Sequence, residues 1–217
     1  DYGPCAFMDI YDPQTVFSSI DLDGRYAYFN QPGITKWNLS RFAETLIPLI
    51  DENKDRAIKI VREEINNFNI FYKNSWLNMM KKKIGLFGEN AKDENLIKEL
   101  FNWMNQKNAD FTNTFCFLMK KDFGGMDILK DPSFDMWYKK WKERLKQNNK
   151  PLNYSIEIMK KNNPQVIPRN FKVEEALDLA SKDLNLELFK KLLEVVKEPY
   201  DVKENIIEYQ LVPETIS

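Results

Sequence analysis

The chain has 217 residues, roughly one to one and a half domains, and at 43% hydrophobic and 13% aromatic it can bury a real core, which excludes disorder as its main state. Its 32 Lys and Arg against 33 Asp and Glu leave a net charge of −1, so neither a basic field for nucleic acid nor an acidic solvating tail is present. The lack of histidine excludes Ser-His-Asp and Cys-His catalysis and His-ligated metals, and two cysteines are too few for a zinc site or a disulfide scaffold.

Residues 1–33 form a long irregular stretch holding three of the seven glycines and three of the ten prolines. Its apolar residues, Phe7, Met8, Ile10, Tyr11, Val16, Phe17, Tyr26, Tyr28 and Phe29, follow no period. A loop of this length with so many aromatics reads as ordered and functional. Helical spacing begins at residue 34. Leu39, Phe42, Ala43, Leu46 and Ile50 mark the first helix, which Pro48 bends or ends. Ile58, Val61, Ile65, Phe68, Tyr72, Trp76 and Met79 form one long stripe, stopped by Gly85 and Gly88. Asp93 reads as the N-cap of a helix carrying Leu96, Leu100, Trp103 and Met104. Phe111, Phe115, Leu118 and Met119 continue in another, closed by Gly124-Gly125. Asp131-Pro132-Ser133 opens a helix with Phe134, Trp137, Trp141 and Leu145 inward. A short helix around Ile156 and Met159 breaks at Asn162-Asn163-Pro164. The last two helices span Val173–Ser181 and Leu184–Val196, and residues 201–217 read as an extended tail. Trp37, Trp76, Trp103, Trp137 and Trp141 all lie on apolar stripes and are expected in the core. Any strand should be short and confined to 1–33 or the tail. No repeat of fixed period emerges, and no apolar run approaches the ~20 residues of a membrane span.

The chain starts with Asp1 rather than Met and has no charged-then-apolar leader. Asp1-Tyr2-Gly3-Pro4 reads like the interior of a longer chain, so a fragment or processed product is expected. In kinase-like folds an Asp-aromatic-Gly triplet follows a strand, and its carboxylate binds the magnesium that bridges nucleotide phosphates. A hard cation suits an oxygen ligand. On its own the triplet reads as a loop turn before it reads as a metal site. An irregular aromatic segment that ends at Asn30-Gln31-Pro32, where helices begin, matches the layout of an activation segment entering a helical lobe.

The motifs then become specific. Asp1-Tyr2-Gly3-Pro4, Phe7-Met8-Asp9 and Tyr11-Asp12-Pro13 stand at the start. Gly24-Arg25-Tyr26-Ala27-Tyr28-Phe29-Asn30-Gln31-Pro32 and Trp37-Asn38-Leu39-Ser40-Arg41-Phe42-Ala43 follow. Asn163-Pro164-Gln165-Val166-Ile167-Pro168-Arg169-Asn170, Glu174-Glu175-Ala176 and Pro199-Tyr200-Asp201 come later. In this order they resemble the SelO (YdiU) family of pseudokinases, over most of the chain, although 50–150 agrees by helical character more than by motif. The resemblance implies a mainly α fold: the helical C-terminal lobe of a protein-kinase-like fold, preceded by an activation-segment-like loop. The expected division is loop 1–33, helical lobe 34–200 and tail 201–217. It further implies transfer of AMP from ATP to Ser, Thr or Tyr hydroxyls of proteins. Asp1 matches the family's metal-binding Asp that also approaches ATP, with Mg²⁺ or Mn²⁺ as the ion. The family's other catalytic groups precede the triplet, so the chain alone is expected to be inactive and to carry no further catalytic residue. The implied partners are ATP and protein substrates, with neither nucleic acid nor membrane, in a bacterial cytoplasm. Lys and Asn richness with little Arg agrees with an AT-rich bacterial source.

The chain uses 26 Lys and only 6 Arg, so Arg is kept where a planar fork is useful. Arg25, Arg41 and Arg169 lie inside the motif stretches. A structural pair holding the activation segment on the helices is their expected role, with Glu44, Glu174 and Glu175 as candidate partners. Cys5 reads as a small buried hydrophobe. Some family members bridge a cysteine of the activation segment to one near the C-terminus; Thr15-Val16-Phe17-Ser18-Ser19 and the tail here hold none, nor is there the selenocysteine position of eukaryotic members. If the upstream part of the kinase-like fold is absent, Phe7, Met8 and Phe17 should lose half their cover. Two other functions remain open on the sequence. One is a non-catalytic helical interaction module. The other is an ordinary kinase lobe, against which Asn30-Gln31-Pro32 stands where Ala-Pro-Glu is expected.

Overall fold

The computed structural model describes residues 6–120, 131–201 and 206–212. Nine α-helices are found among them, and no strand beyond a single bridge between Ile10 and Asp110. That bridge joins the loop, at Ile10, to residue 110. The mainly α reading holds. The chain divides into two compact units, residues 13–79 and residues 1–12 with 80–217.

In the first unit an irregular stretch leads into a 3-10 turn at Tyr28–Asn30, then α1 (Gln31–Ile50) and most of α2 (Lys54–Lys83). The Asp21 carboxylate organises the turn by accepting from the backbone N–H groups of Arg25 and Tyr26, each at 2.8 Å. Gly24 makes the turn possible at φ +63°, a conformation that costs other residues steric strain. Tyr28 N–H donates to Thr15 O at 3.0 Å and Phe29 N–H to Pro13 O at 2.9 Å, folding the stretch back on itself. Pro32 fits the first turn of α1, where its missing N–H is not needed. Pro48 lies two residues from the end of α1, consistent with a proline-terminated helix. No residue of α1 is fully buried, and Trp37 is 48% exposed, against the expectation of a core tryptophan.

The second unit holds α3 (Asp93–Gln106), α4 (Phe111–Leu118), α5 (Pro132–Lys146) and α6 (Leu152–Asn162). It also holds α7 (Asn170–Lys182), α8 (Glu187–Lys197) and α9 (Ile207–Gln210). α3 buries Leu96, Ile97, Leu100, Phe101, Trp103 and Met104, one face at helical spacing. It packs on α5, where Trp103 and Phe134 meet with ring centroids 4.6 Å apart. The indole N–H groups of α5 are satisfied: Trp137 donates to Leu96 O and Trp141 to Ile84 O, both at 2.8 Å. Asp131 caps α5 as the sequence indicates, accepting from Ser133 N–H at 2.9 Å. A further cluster joins Val166, Ala176, Leu192, Ile206 and Tyr209. Burial of Ile206 and Tyr209 gives the chain a reason to form the α9 turn where extended tail was expected.

Candidate functional site

The site begins where the described chain begins. Asp1, Tyr2, Gly3 and Cys5 lie outside the described residues, as do Gly124 and Gly125. What can be built is the ground on which the segment after Asp1 rests. Met8 and Tyr11 are buried in the helical unit, whereas Phe7 is 41% exposed and Phe17 half-buried. Met8 therefore keeps the cover it was expected to lose. Between them, Ile10 bridges to Asp110: Phe111 N–H donates to Asp9 O at 2.7 Å and Tyr11 N–H to Ala109 O at 2.9 Å. The partner stretch is the turn between α3 and α4, shaped by Asn108 at φ +50°, a conformation asparagine tolerates better than most. Tyr11 stacks on Phe101 at 5.0 Å and Phe111 at 5.9 Å, and burial pushes its hydroxyl pKa up.

Beneath this bridge sits Arg169, 1% exposed. Its Nη1 donates to Asp110 Oδ2 at 2.8 Å and to Asp9 Oδ1. Nη2 donates to Gln210 O at 3.1 Å and Nε to Tyr209 O at 3.3 Å. One guanidinium thus joins the segment after Asp1, the head of α4, the head of α7 and the α9 turn. Asp110 also caps α4, accepting from Asn113 N–H at 2.6 Å. Burial pushes the Asp110 carboxyl up from its ordinary value, against the pull of Arg169. Burial likewise works against the Arg169 charge, but the Asp110 and Asp9 carboxylates outweigh it and hold its pKa above normal. The arginine stays cationic. Of the three arginines singled out in the motifs, Arg169 plays the structural role expected of them, with aspartates rather than glutamates.

The other two differ. The Arg25 guanidinium lies 4.7 Å from the Trp37 ring centroid and that of Arg41 lies 5.7 Å away. Arg41 also pairs with Glu44 at 2.5 Å, but both are half exposed, so the pair adds little stability. Glu174 is exposed and Glu175 pairs with Lys172 at 3.1 Å, not with an arginine.

Three wholly or partly buried side chains, Arg144, Lys83 and Cys116, carried no functional signal in the sequence. Arg144 grips Asp93 with Nε to Oδ1 at 2.6 Å and Nη2 to Oδ2 at 3.1 Å, and reaches Asn148 Oδ1 at 2.9 Å and Phe87 O at 3.1 Å. Asp93 is the first residue of α3 and not its cap: Lys92 holds the cap position, and the carboxylate turns inward to Arg144. An acid does hold the cap position at Asp131, where the sequence places a helix start, and at Asp110. Lys83, at the end of α2, lies 4.5 Å from the Phe115 centroid, and burial drives its pKa down to about 8. Cys116 donates to Pro164 O at 3.2 Å, and burial pushes its thiol to about 12, so it is no nucleophile near neutral pH. Among the described residues no group of three or more Cys, Asp or Glu side chains is arranged to hold a metal, and no helix is long and apolar enough to cross a membrane.

A helical unit with the segment at residues 9–11 anchored on it through Arg169 and the Ile10–Asp110 bridge is what these observations define. The family model described as protein adenylyltransferase SelO matches residues 1–197, and the chain belongs to that family. Among its curated relatives, a protein nucleotidyltransferase YdiU of Pelagibacter ubique is 54% identical over 208 residues, 96% of this chain and 43% of the relative. One of Clostridium botulinum strain Alaska E43 is 48% identical over 217 residues, 100% of this chain and 44% of the relative. One of Nitrosococcus oceani is 47% identical over 213 residues, 98% and 43%. The chain thus spans less than half the length of these relatives.

Proposed function

We propose that this chain works as the C-terminal part of a protein adenylyltransferase that moves AMP from ATP to Ser, Thr or Tyr hydroxyls of other proteins. The observation that carries the reading is the family match, which starts at Asp1 and includes the Asp-Tyr-Gly triplet. In this reaction the acceptor oxygen bonds to the α-phosphorus. The bond from that phosphorus to the bridging oxygen breaks, and pyrophosphate leaves with the electron pair. The hydroxyl proton passes to a base outside this chain.

The part assigned to this chain is positional. Asp1 supplies a carboxylate for Mg²⁺ or Mn²⁺ and approaches the ATP phosphates. Such an ion, when bound, neutralises charge that develops on the phosphates. The clamp over residues 8–11 supports the reading, because it holds the segment that follows Asp1 on a rigid lobe. The remaining nucleotide contacts are assigned to the portion that the relatives carry and this chain does not. The protein acts in the bacterial cytoplasm, with ATP and acceptor proteins as partners.

The test is incubation with ATP labelled in the α-phosphate and a mixture of acceptor proteins. The full-length protein is expected to label acceptors covalently, and this chain alone is not. Labelling from the γ-phosphate instead would replace the reading with ordinary kinase chemistry. No labelling by the full-length protein under either label would favour a non-catalytic helical module.

A further inference from the structure

The unit formed by residues 13–79 buries no large side chain fully. All of its residues are among those described, and Ala27 and Ala57 are the only fully buried ones. A small unit has much surface for its volume, so it depends on burying large apolar side chains to offset the entropy of ordering its chain. Here those side chains are present and uncovered. The clearest case is α1, whose apolar stripe of Leu39, Phe42, Ala43, Leu46, Leu49 and Ile50 falls on one face at helical spacing. Phe42 is 60% exposed and Leu49 is 81% exposed, and none of the six is fully buried.

The polar groups of α1 find partners within the helix. Ser40 Oγ donates to Lys36 O at 2.8 Å, Thr45 Oγ1 donates to Phe42 O at 2.7 Å, and Arg41 pairs with Glu44. The stripe itself carries no charge, so its covering is apolar too. A contiguous uncovered patch of this kind marks an interface, unlike single scattered leucines. Two coverings compete: a second copy, and the part of the protein that the relatives carry beyond this chain. The chain covers 43% and 44% of two of those relatives and corresponds to their C-terminal part, so more than half of their length lies upstream. A covering in the same polypeptide meets the stripe at an effective concentration on the order of millimolar, whereas a second copy meets it only at its own concentration in solution. Dimers of this simple kind also join units that have already folded, and residues 13–79 bury too little to fold first. Both considerations favour the upstream portion.

We propose that the α1 stripe of Leu39, Phe42, Leu46, Leu49 and Ile50 is the seat of the upstream portion of the full-length protein: an apolar surface of that portion packs on it and completes the core that residues 13–79 lack. The interface is independent of AMP transfer, so its test reads contacts and stability and stands whether or not the proposed activity does.

The experiment uses the full-length protein with the photoreactive side chain of benzoylphenylalanine placed at Phe42 in one variant and at Leu49 in another. Each is irradiated at two protein concentrations tenfold apart, digested, and read by mass spectrometry. The expected product is a cross-link within one chain, from position 42 or 49 to a peptide of the upstream portion, with a yield that does not change on dilution. A product of twice the chain mass whose yield falls on dilution would assign the stripe to a second copy and overturn the proposal. Cross-links confined to residues 80–217 would overturn it as well. If the variant at Phe42 fails to fold by circular dichroism, the one at Leu49 carries the test. A second measurement is the thermal unfolding of Leu46→Glu in the full-length protein. A covered stripe predicts a melting temperature lower by about 5 °C or more, because the new carboxylate loses its water. On an uncovered helix face the same substitution changes stability little, so an unchanged melting temperature without upstream cross-links would refute the interface.

Discussion

Replacing Lys83 with Met should stabilise the fold at neutral pH, because the lysine charge is held where water cannot reach it well. The Lys83 ammonium lies 4.5 Å from the Phe115 centroid and 5.8 Å from that of Phe111, and donates to Asn162 O at 3.3 Å. Burial lowers its pKa from 10.5 to about 8, opposed in part by the Cys116 sulfur. Between these two values the unfolded chain binds the proton and the folded chain does not, so this group makes stability rise with pH across that window. Below about pH 8 both states are protonated and the cost is fully present. At ~1.4 kcal/mol per pH unit the gap amounts to about 3 kcal/mol. The aromatic contacts and the bond to Asn162 already count within that net value. Met matches the stem of lysine and adds a polarizable sulfur suited to ring contacts. Lys83→Met is therefore expected to gain about 1–3 kcal/mol near pH 7, with the gap to wild type narrowing by about 1 kcal/mol at pH 9. Cys116 works in the opposite direction: its thiol titrates at about 12 rather than 9, so its contribution falls as pH rises above 9. Reading the difference between the two proteins below that point separates the effects. Urea unfolding followed by tryptophan fluorescence at both pH values is the assay. A variant that is less stable at pH 7, with a gap that does not move with pH, would refute the burial argument.

Two further substitutions test the packing. Arg144→Met leaves the Asp93 carboxylate, 1% exposed, with Lys81 at 3.6 Å as its one charge partner among the described residues, and should cost about 3–5 kcal/mol in the same unfolding assay. Adding Asp93→Asn to it should return a large part of that loss. Gly85→Ala combines φ +69° with a new Cβ 3.1 Å from Ser155 and Met159, and should cost more than Gly88→Ala, where φ is +73° but the space is open. About 1 kcal/mol is expected at Gly88 and about 2–4 at Gly85, and equal losses at the two sites would contradict the crowding argument.

Helix positions were legible in the sequence because they follow from local rules. Asp131-Pro132 starts α5, and the apolar face of α3 shows as spacing alone. What stayed hidden depends on which faces meet. Asp93 looks like a cap by every local criterion, but its partner Arg144 is 51 residues away and draws it inward. Trp37 lies on an apolar stripe, yet a stripe says which side of a helix is apolar and not whether anything covers it. The tail lacked helical period, and the α9 turn forms because Ile206 and Tyr209 find a core made by α7 and α8. For the site the balance is similar. Asp1 came from a motif and a family resemblance. Asp9 stood within a quoted motif without a role, and Asp110 was passed over although an Asp before Phe111-Thr112-Asn113 is a capping signal. Their meeting at Arg169 is long-range and was invisible without the fold.

The account turns on Asp1, and one comparison tests it most directly. The full-length protein and its Asp1→Ala variant are incubated with α-labelled ATP, Mg²⁺ and acceptor protein, and both are checked by circular dichroism and thermal unfolding. The account predicts covalent AMP transfer by the wild type, and loss of transfer by a variant whose helical signal and melting are unchanged. Transfer by a folded Asp1→Ala protein at the wild-type rate would contradict it.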